Sequence, residues 1–215
     1  MANTNRPRGL VPVQMLGGAP WSGKVNMYLV PDTAALYTGD IVKHAGSSGA
    51  AGAVVFGQDV EGMPTIARCA DGTGTTDTPL GVVVGFLPLQ PLQDVNYKAA
   101  DGVDRIALVC DDPTVVFEVQ EDATTTPIVA ASVGLNVMFS TTAGSTTTGL
   151  SGMEIISTQV ASTTTHPLRI LGLSKRVDNN FNTGGASTDK AKFLVVFNSH
   201  AFGQRGSAVA PGTGF

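Results

Sequence analysis

The chain has 215 residues, 42% of them hydrophobic and only 14% charged, with a net charge of −4 and a pI near 5.2. That length supports one good core, the acidity excludes a surface built throughout to grip phosphates, and the thin charge reserves surface for partners of neutral or basic face. The densest apolar run, "LGVVVGFLPL" at 80–89, is too short for a bilayer span and is cut by Pro88, so a soluble protein with neither membrane nor nucleic acid as partner is expected.

Residues 1–23 show neither the period of a strand nor that of a helix, and Pro7, Gly9 and Pro12 interrupt any signal-peptide core. An extended N-terminal arm is predicted, with no secretion. Arg6 and Arg8 flank Pro7 and suit a clamp on acidic or carbonyl groups of a neighbour. Leu10 and Trp21 are candidate apolar contacts for the same partner, and Trp21 is equally suited to packing on its own domain.

The arm ends in "GAPWSGKV", residues 18–25, which matches a phosphate-binding P-loop up to Lys24 and then breaks it with Val25 where a Mg²⁺-ligating Ser or Thr belongs. A P-loop must also close onto a helix N-terminus. Here Lys24 runs into β-prone "VNMYLV", Pro31 stops any helix, and Pro20 removes a donor from the cradle. A Gly-rich turn from arm to strand is predicted, with Lys24 structural or at an interface, and no NTPase.

From residue 24 to 203 short β-type runs recur: "VNMYLV" at 25–30, "LYTGDIVK" at 36–43, "MPTIARCA" at 63–70, "LGVVVGF" at 80–86 and "DRIALVC" at 104–110. Then come "TVVFEVQE" at 114–121, "VGLNVMF" at 133–139, "MEIIST" at 153–158, "LRILGLSK" at 168–175 and "AKFLVVFN" at 191–198. Gly, Pro, Asp or Thr clusters bound nearly every one, so the expected fold is all-β, an antiparallel sandwich or barrel (jelly-roll-like) with little helix. Val115, Phe117 and Val119 alternate with Glu118 and Gln120, which predicts a half-exposed strand. "FLVVF" at 193–197 is apolar on both faces and is expected to be central or covered. The stretch 140–165 brackets one apolar strand with Thr/Gly-rich loops adaptable against a partner, and 204–215 reads as a flexible tail in which Phe215 is a candidate anchor.

No constellation for chemistry emerges. His44, His166 and His200 have no ligand spacing, "GSSG" at 46–49 is not a nucleophile elbow, and the pairs Asp111–Asp112 and Glu121–Asp122 flank one strand at ~30 Å. Cys69 and Cys110 read as two buried free thiols. No catalytic residue, metal or cofactor is assigned.

"YTGDIVK", "LGVVVGF", "DDPTVVFEVQED", "VGLNVMF" and the closing "AKFLVVFNSHAFG" together resemble structural proteins of tailed bacteriophages, nearest the capsid cement or decoration proteins, over about residues 25 to 203. The resemblance implies a β-rich, often homotrimeric, non-enzymatic protein. It would bind the outer surface of the virion capsid after synthesis in the host cytoplasm and reinforce contacts between major capsid protein subunits. The alternative within a virion is an outward-facing receptor- or glycan-binding module, for which the stretch 140–165 supplies no aromatic residue.

Overall fold

The computed structural model describes residues 3–31, 35–70, 72, 77–88, 96–100, 103–122, 126–181 and 190–203. The expected tail 204–215, with Phe215, lies outside them.

Among the described residues fifteen strands follow in chain order. They are β1 (Val11–Met15), β2 (Asn26–Val30), β3 (Leu36–Tyr37), β4 (Ile41–Ser48), β5 (Val54–Val55), β6 (Gln58–Asp59), β7 (Pro64–Arg68) and β8 (Gly81–Phe86). The second half holds β9 (Tyr97–Lys98), β10 (Arg105–Cys110), β11 (Val115–Gln120), β12 (Asn136–Phe139), β13 (Ile155–Ala161), β14 (Leu168–Leu173) and β15 (Lys192–Phe197). The helical structure among the described residues is one 3-10 turn, Ala130–Ser132. Among them no helix is long and apolar enough to cross a membrane.

The strands form an antiparallel six-stranded sheet, β1-β11-β15-β14-β12-β13, and a closed five-stranded barrel, β10-β2-β7-β4-β8, with two small two-stranded sheets, the long-range pair β3-β9 and the hairpin β5-β6. All barrel pairs are antiparallel except β2 with β7. The all-β expectation is met by a barrel and a sheet packed together. Phe117, Ile170, Phe193 and Val195 of the sheet share one core with Ile41, Cys69, Val82 and Cys110 from the barrel side. The barrel interior is a second core of Tyr28, Val30, Val42, Ile66, Leu80 and Val109.

The alternation of β8 and β10 explains how one strand serves both cores. Val82 and Cys110 point to the sheet while Val83 and Val109 point into the barrel, as successive side chains must. Both cysteines are free and buried, and burial pushes the Cys110 thiol up to about 11.

β15 lies in the interior of the sheet between β11 and β14, as its two apolar faces require. β11 departs from expectation. All six of its residues are buried, Glu118 and Gln120 included, because the N-terminal segment covers its polar face.

The Thr/Gly-rich stretch is bound to its own fold over its first part. Thr38 N–H donates to the Gly149 carbonyl at 3.0 Å and Ser151 N–H donates to the Thr38 carbonyl at 2.9 Å. The fully buried Asp40 carboxylate ties this loop to the barrel: it accepts from the Ser151 hydroxyl at 2.5 Å and pairs with Arg68 Nε at 3.1 Å.

Candidate functional site

The sequence singles out Arg6, Arg8, Leu10, Trp21 and Lys24, and the structure distributes them along one seam where residues 3–24 cross the sheet and meet the barrel. Residues 3–10 run extended over the outer face of β11 and β15. Asn3 exchanges two hydrogen bonds of 2.9 Å with the backbone of Asn180, Lys192 Nζ donates to the Thr4 carbonyl at 3.2 Å, and Arg6 N–H donates to Gln120 Oε1 at 2.7 Å. Gln120 Nε2 in turn donates to Asn5 Oδ1 at 3.0 Å and to Glu154 Oε1 at 2.6 Å, where Lys190 closes the group at 2.9 Å.

Glu118 is the centre of charge. Its carboxylate accepts from the Arg8 guanidinium, from Arg176 Nη1 at 2.8 Å and from the Ser174 hydroxyl. Burial by itself raises its pKa, but the Ser174 hydroxyl and the two guanidinium groups outweigh burial and hold the carboxyl below its ordinary value. Lys192 stands beside the same group. Burial lowers its pKa first, and repulsion from Arg176 and Arg8 lowers it further.

Counting Arg6, Arg8, Lys175, Arg176, Lys190 and Lys192 against Glu118, Glu154 and Asp178 gives six positive and three negative charges, a positive patch on an acidic chain. It opens on a shallow surface depression lined by Arg6, Arg8, Gly9, Glu118, Val119, Gln120 and Lys192.

The arm leaves the seam at Gly9, which crosses Gly39 at a separation that only glycine permits. A Cβ on Gly9 would lie 2.2 Å from the Gly39 carbonyl oxygen and one on Gly39 would lie 2.1 Å from that of Arg8, with φ of +67° and +95° respectively. Leu10 N–H donates to the Gly39 carbonyl at 3.0 Å and its side chain enters the main core with 1% exposure. Its expected role as a contact for a partner is therefore corrected: the side chain has no surface left to give.

β1 then pairs with β11, with a register shift between Pro12 and Gln14. The chain turns back on itself through Gly18 and Pro20, so Trp21 N–H bonds the Val13 carbonyl at 3.3 Å and the ring packs on the main core, with its buried indole N–H beside the Cys110 thiol. Trp21 therefore takes the role of packing on its own domain.

Lys24 remains 74% exposed and stands 3.9 Å from Asp112. Coil through residues 21–25 leads directly into β2, so the "GAPWSGKV" segment presents no helix N-terminus to a phosphate.

A second exposed feature had no counterpart in the sequence reading. The hairpin β5-β6 packs on the outer side of the barrel, with Val55 and Val60 against Leu29 and Ile106, while Val54 and Phe56 are exposed. Its signal was the dipeptide Phe56-Gly57 between two pairs of strand-compatible residues, too short a run to register as strand. Among the described residues no group of His, Cys, Asp and Glu is arranged to hold a metal ion. No family model, curated protein or solved structure matches the chain.

Proposed function

We propose that this is a non-enzymatic structural protein of a phage-type virion, which binds the outer surface of the capsid, stabilises contacts between major capsid protein subunits, and self-associates as a homotrimer. The observation that carries this reading is how the chain deploys its charge and its apolar surface. Glu118, Asp40, Asp77 and Glu154 are buried in ion pairs with Arg8 and Arg176, Arg68, Lys43 and Lys190. The surface meanwhile keeps large apolar side chains such as Val177 (96% exposed), Val54 (62%), Leu16 (56%) and Phe202 (53%).

Such a surface suits broad contacts made by apolar groups and neutral hydrogen-bonding groups. Many weak contacts repeated over a shell add through high effective concentration. A ligand that prefers the assembled shell stabilises it by mass action. The resemblance in "DDPTVVFEVQED" and "AKFLVVFNSHAFG" points the same way.

The test is co-sedimentation of the purified protein with capsids assembled without it, scored for saturation and for rupture on heating. Saturable binding that raises the rupture temperature is the expected result. No binding at micromolar concentration overturns the cement role and favours the receptor-binding alternative.

A further inference from the structure

The hairpin β5-β6 is built around a residue that its turn disfavours. Val55 pairs with Gln58, so the loop has two residues, and both take left-handed φ: +49° at Phe56 and +80° at Gly57. This is the requirement of a type I′ turn, for which Asn-Gly is strongly preferred. A bulky aromatic residue at positive φ is strained. Phe56 is the one non-glycine residue at positive φ among the described residues, and the residue is 46% exposed.

Strain at an exposed aromatic, on a hairpin whose base is locked to the barrel, places the ring where a partner can receive it. The hairpin is also asymmetric. One strand presents Val54, and the other presents Asp59 directly across from it, with Glu61 two residues further. The two carboxylates are oriented by backbone donors, Asp59 Oδ1 accepting from Glu61 N–H at 2.9 Å and Glu61 Oε2 from Gly52 N–H at 3.0 Å. From 45 to 67 the chain has no Lys or Arg. The hairpin is an apolar knob with an acidic flank.

The seam offers the complement. Arg6, Lys175 and Arg176 are exposed there, Arg8 is half-exposed, and Val177 stands beside them almost wholly in solvent. We propose that the chain associates head to tail, the hairpin of one copy seated on the arm seam of the next. Phe56 and Val54 lie against Val177 and the stems and guanidinium faces of the arginines, and Asp59 and Glu61 face the cationic groups. Two different patches meet, so the contact is heterologous, and a rotation of about 120° per copy closes it into the trimer ring proposed above, whereas any non-closing rotation gives an open filament. This rests on the self-association part of the proposed function and is independent of capsid attachment.

The test is sedimentation velocity of the full chain over a range of concentrations, with thermal melting of each variant. Phe56→Asn gives the turn its preferred residue, so it retains or raises the melting temperature while weakening association by about tenfold or more. Glu61→Lys dissociates the wild-type assembly, and Glu61→Lys combined with Lys175→Glu restores association in part. Salt at about 0.5 M loosens the wild-type oligomer. A wild-type chain that stays monomeric overturns the proposal, and so does a Phe56→Asn oligomer as tight as wild type. Loss of capsid co-sedimentation by Phe56→Asn with its oligomer intact also overturns it, because the hairpin then faces the capsid; capsid binding that survives loss of the oligomer supports it and leaves the cement reading standing.

Discussion

Replacing Leu10 by alanine separates an arm that belongs to the fold from one that hangs off it. The side chain is 1% exposed and lies in the cluster that contains Ile41, Val115, Phe117 and Met153. A buried Leu→Ala change costs about 2.7–5 kcal/mol depending on how far the site collapses. Leu10 is flanked by the close Gly9–Gly39 crossing and by β1, and an expected loss of about 3 kcal/mol falls within that range. For a chain of this size that corresponds to a fall in melting temperature of about 6–12 °C. Equilibrium urea unfolding followed by Trp21 fluorescence, with far-UV circular dichroism as a second probe, measures it directly, and the slope with denaturant should be unchanged. Arg6→Ala is the control: the contact to Gln120 comes from the Arg6 backbone, so its loss should stay within about 0.5 kcal/mol. A Leu10→Ala loss as small as that of the control would refute the account of an arm anchored in the core.

Two predictions concern acid. Glu118→Gln should lower stability at neutral pH by about 1–2 kcal/mol, since a charged hydrogen-bond centre is lost but its arginine partners are half-exposed. Because the folded-state pKa of Glu118 is depressed, its contribution is whole above 4.5 and is lost as pH falls below that value, and Glu118→Gln should flatten this part of the curve in urea titrations across pH. His200 is 4% exposed, with Nδ1 accepting from Phe202 N–H at 3.0 Å, and burial holds its pKa below 6.5. The folded state therefore favours the neutral ring, stability declines as pH falls from 6.5, and His200→Gln should remove that slope; an unchanged slope would show the ring to be accessible. Asp40 runs the opposite way, since burial raises its pKa and ionising it costs stability as pH rises.

The ten runs read from the sequence all contain strands because each combines β-branched residues with a Gly, Pro, Asp or Thr boundary. The one at 36–43 divides into β3 and β4 at Gly39, whose positive φ turns the chain. β1 is not legible in the sequence because Pro12 sits inside it. Proline is tolerated there since β1 is an edge strand with a register shift at that point. The error at β11 has a different origin. Alternation tells which side chains share a face, but the covering of that face by residues 3–10 is a long-range contact that periodicity does not encode. Arg6 and Arg8 are recognisable as a clamp, yet nothing local shows that the acid Arg8 meets lies 110 residues away in the same chain. The hairpin at 54–59 was invisible for a further reason: Phe at positive φ contradicts turn propensity.

The arm's docking links the stability of the fold to the surface proposed for association. Glu118 on an uncovered sheet would keep Arg176 and Ser174 but lose Arg8, which the backbone of residues 3–8 brings over it. The positive patch is therefore not a property of any one segment but appears only when the arm lies down. Leu10 and the Gly9–Gly39 crossing hold the arm at the point where it turns into the core, so their packing energy is also what keeps the cationic groups in place. The hairpin is different, since its base packs on Leu29 and Ile106 of the barrel and does not depend on the arm. In a head-to-tail contact one partner surface is then preformed and the other is conditional on docking, so any change that frees the arm weakens association through the receiving side.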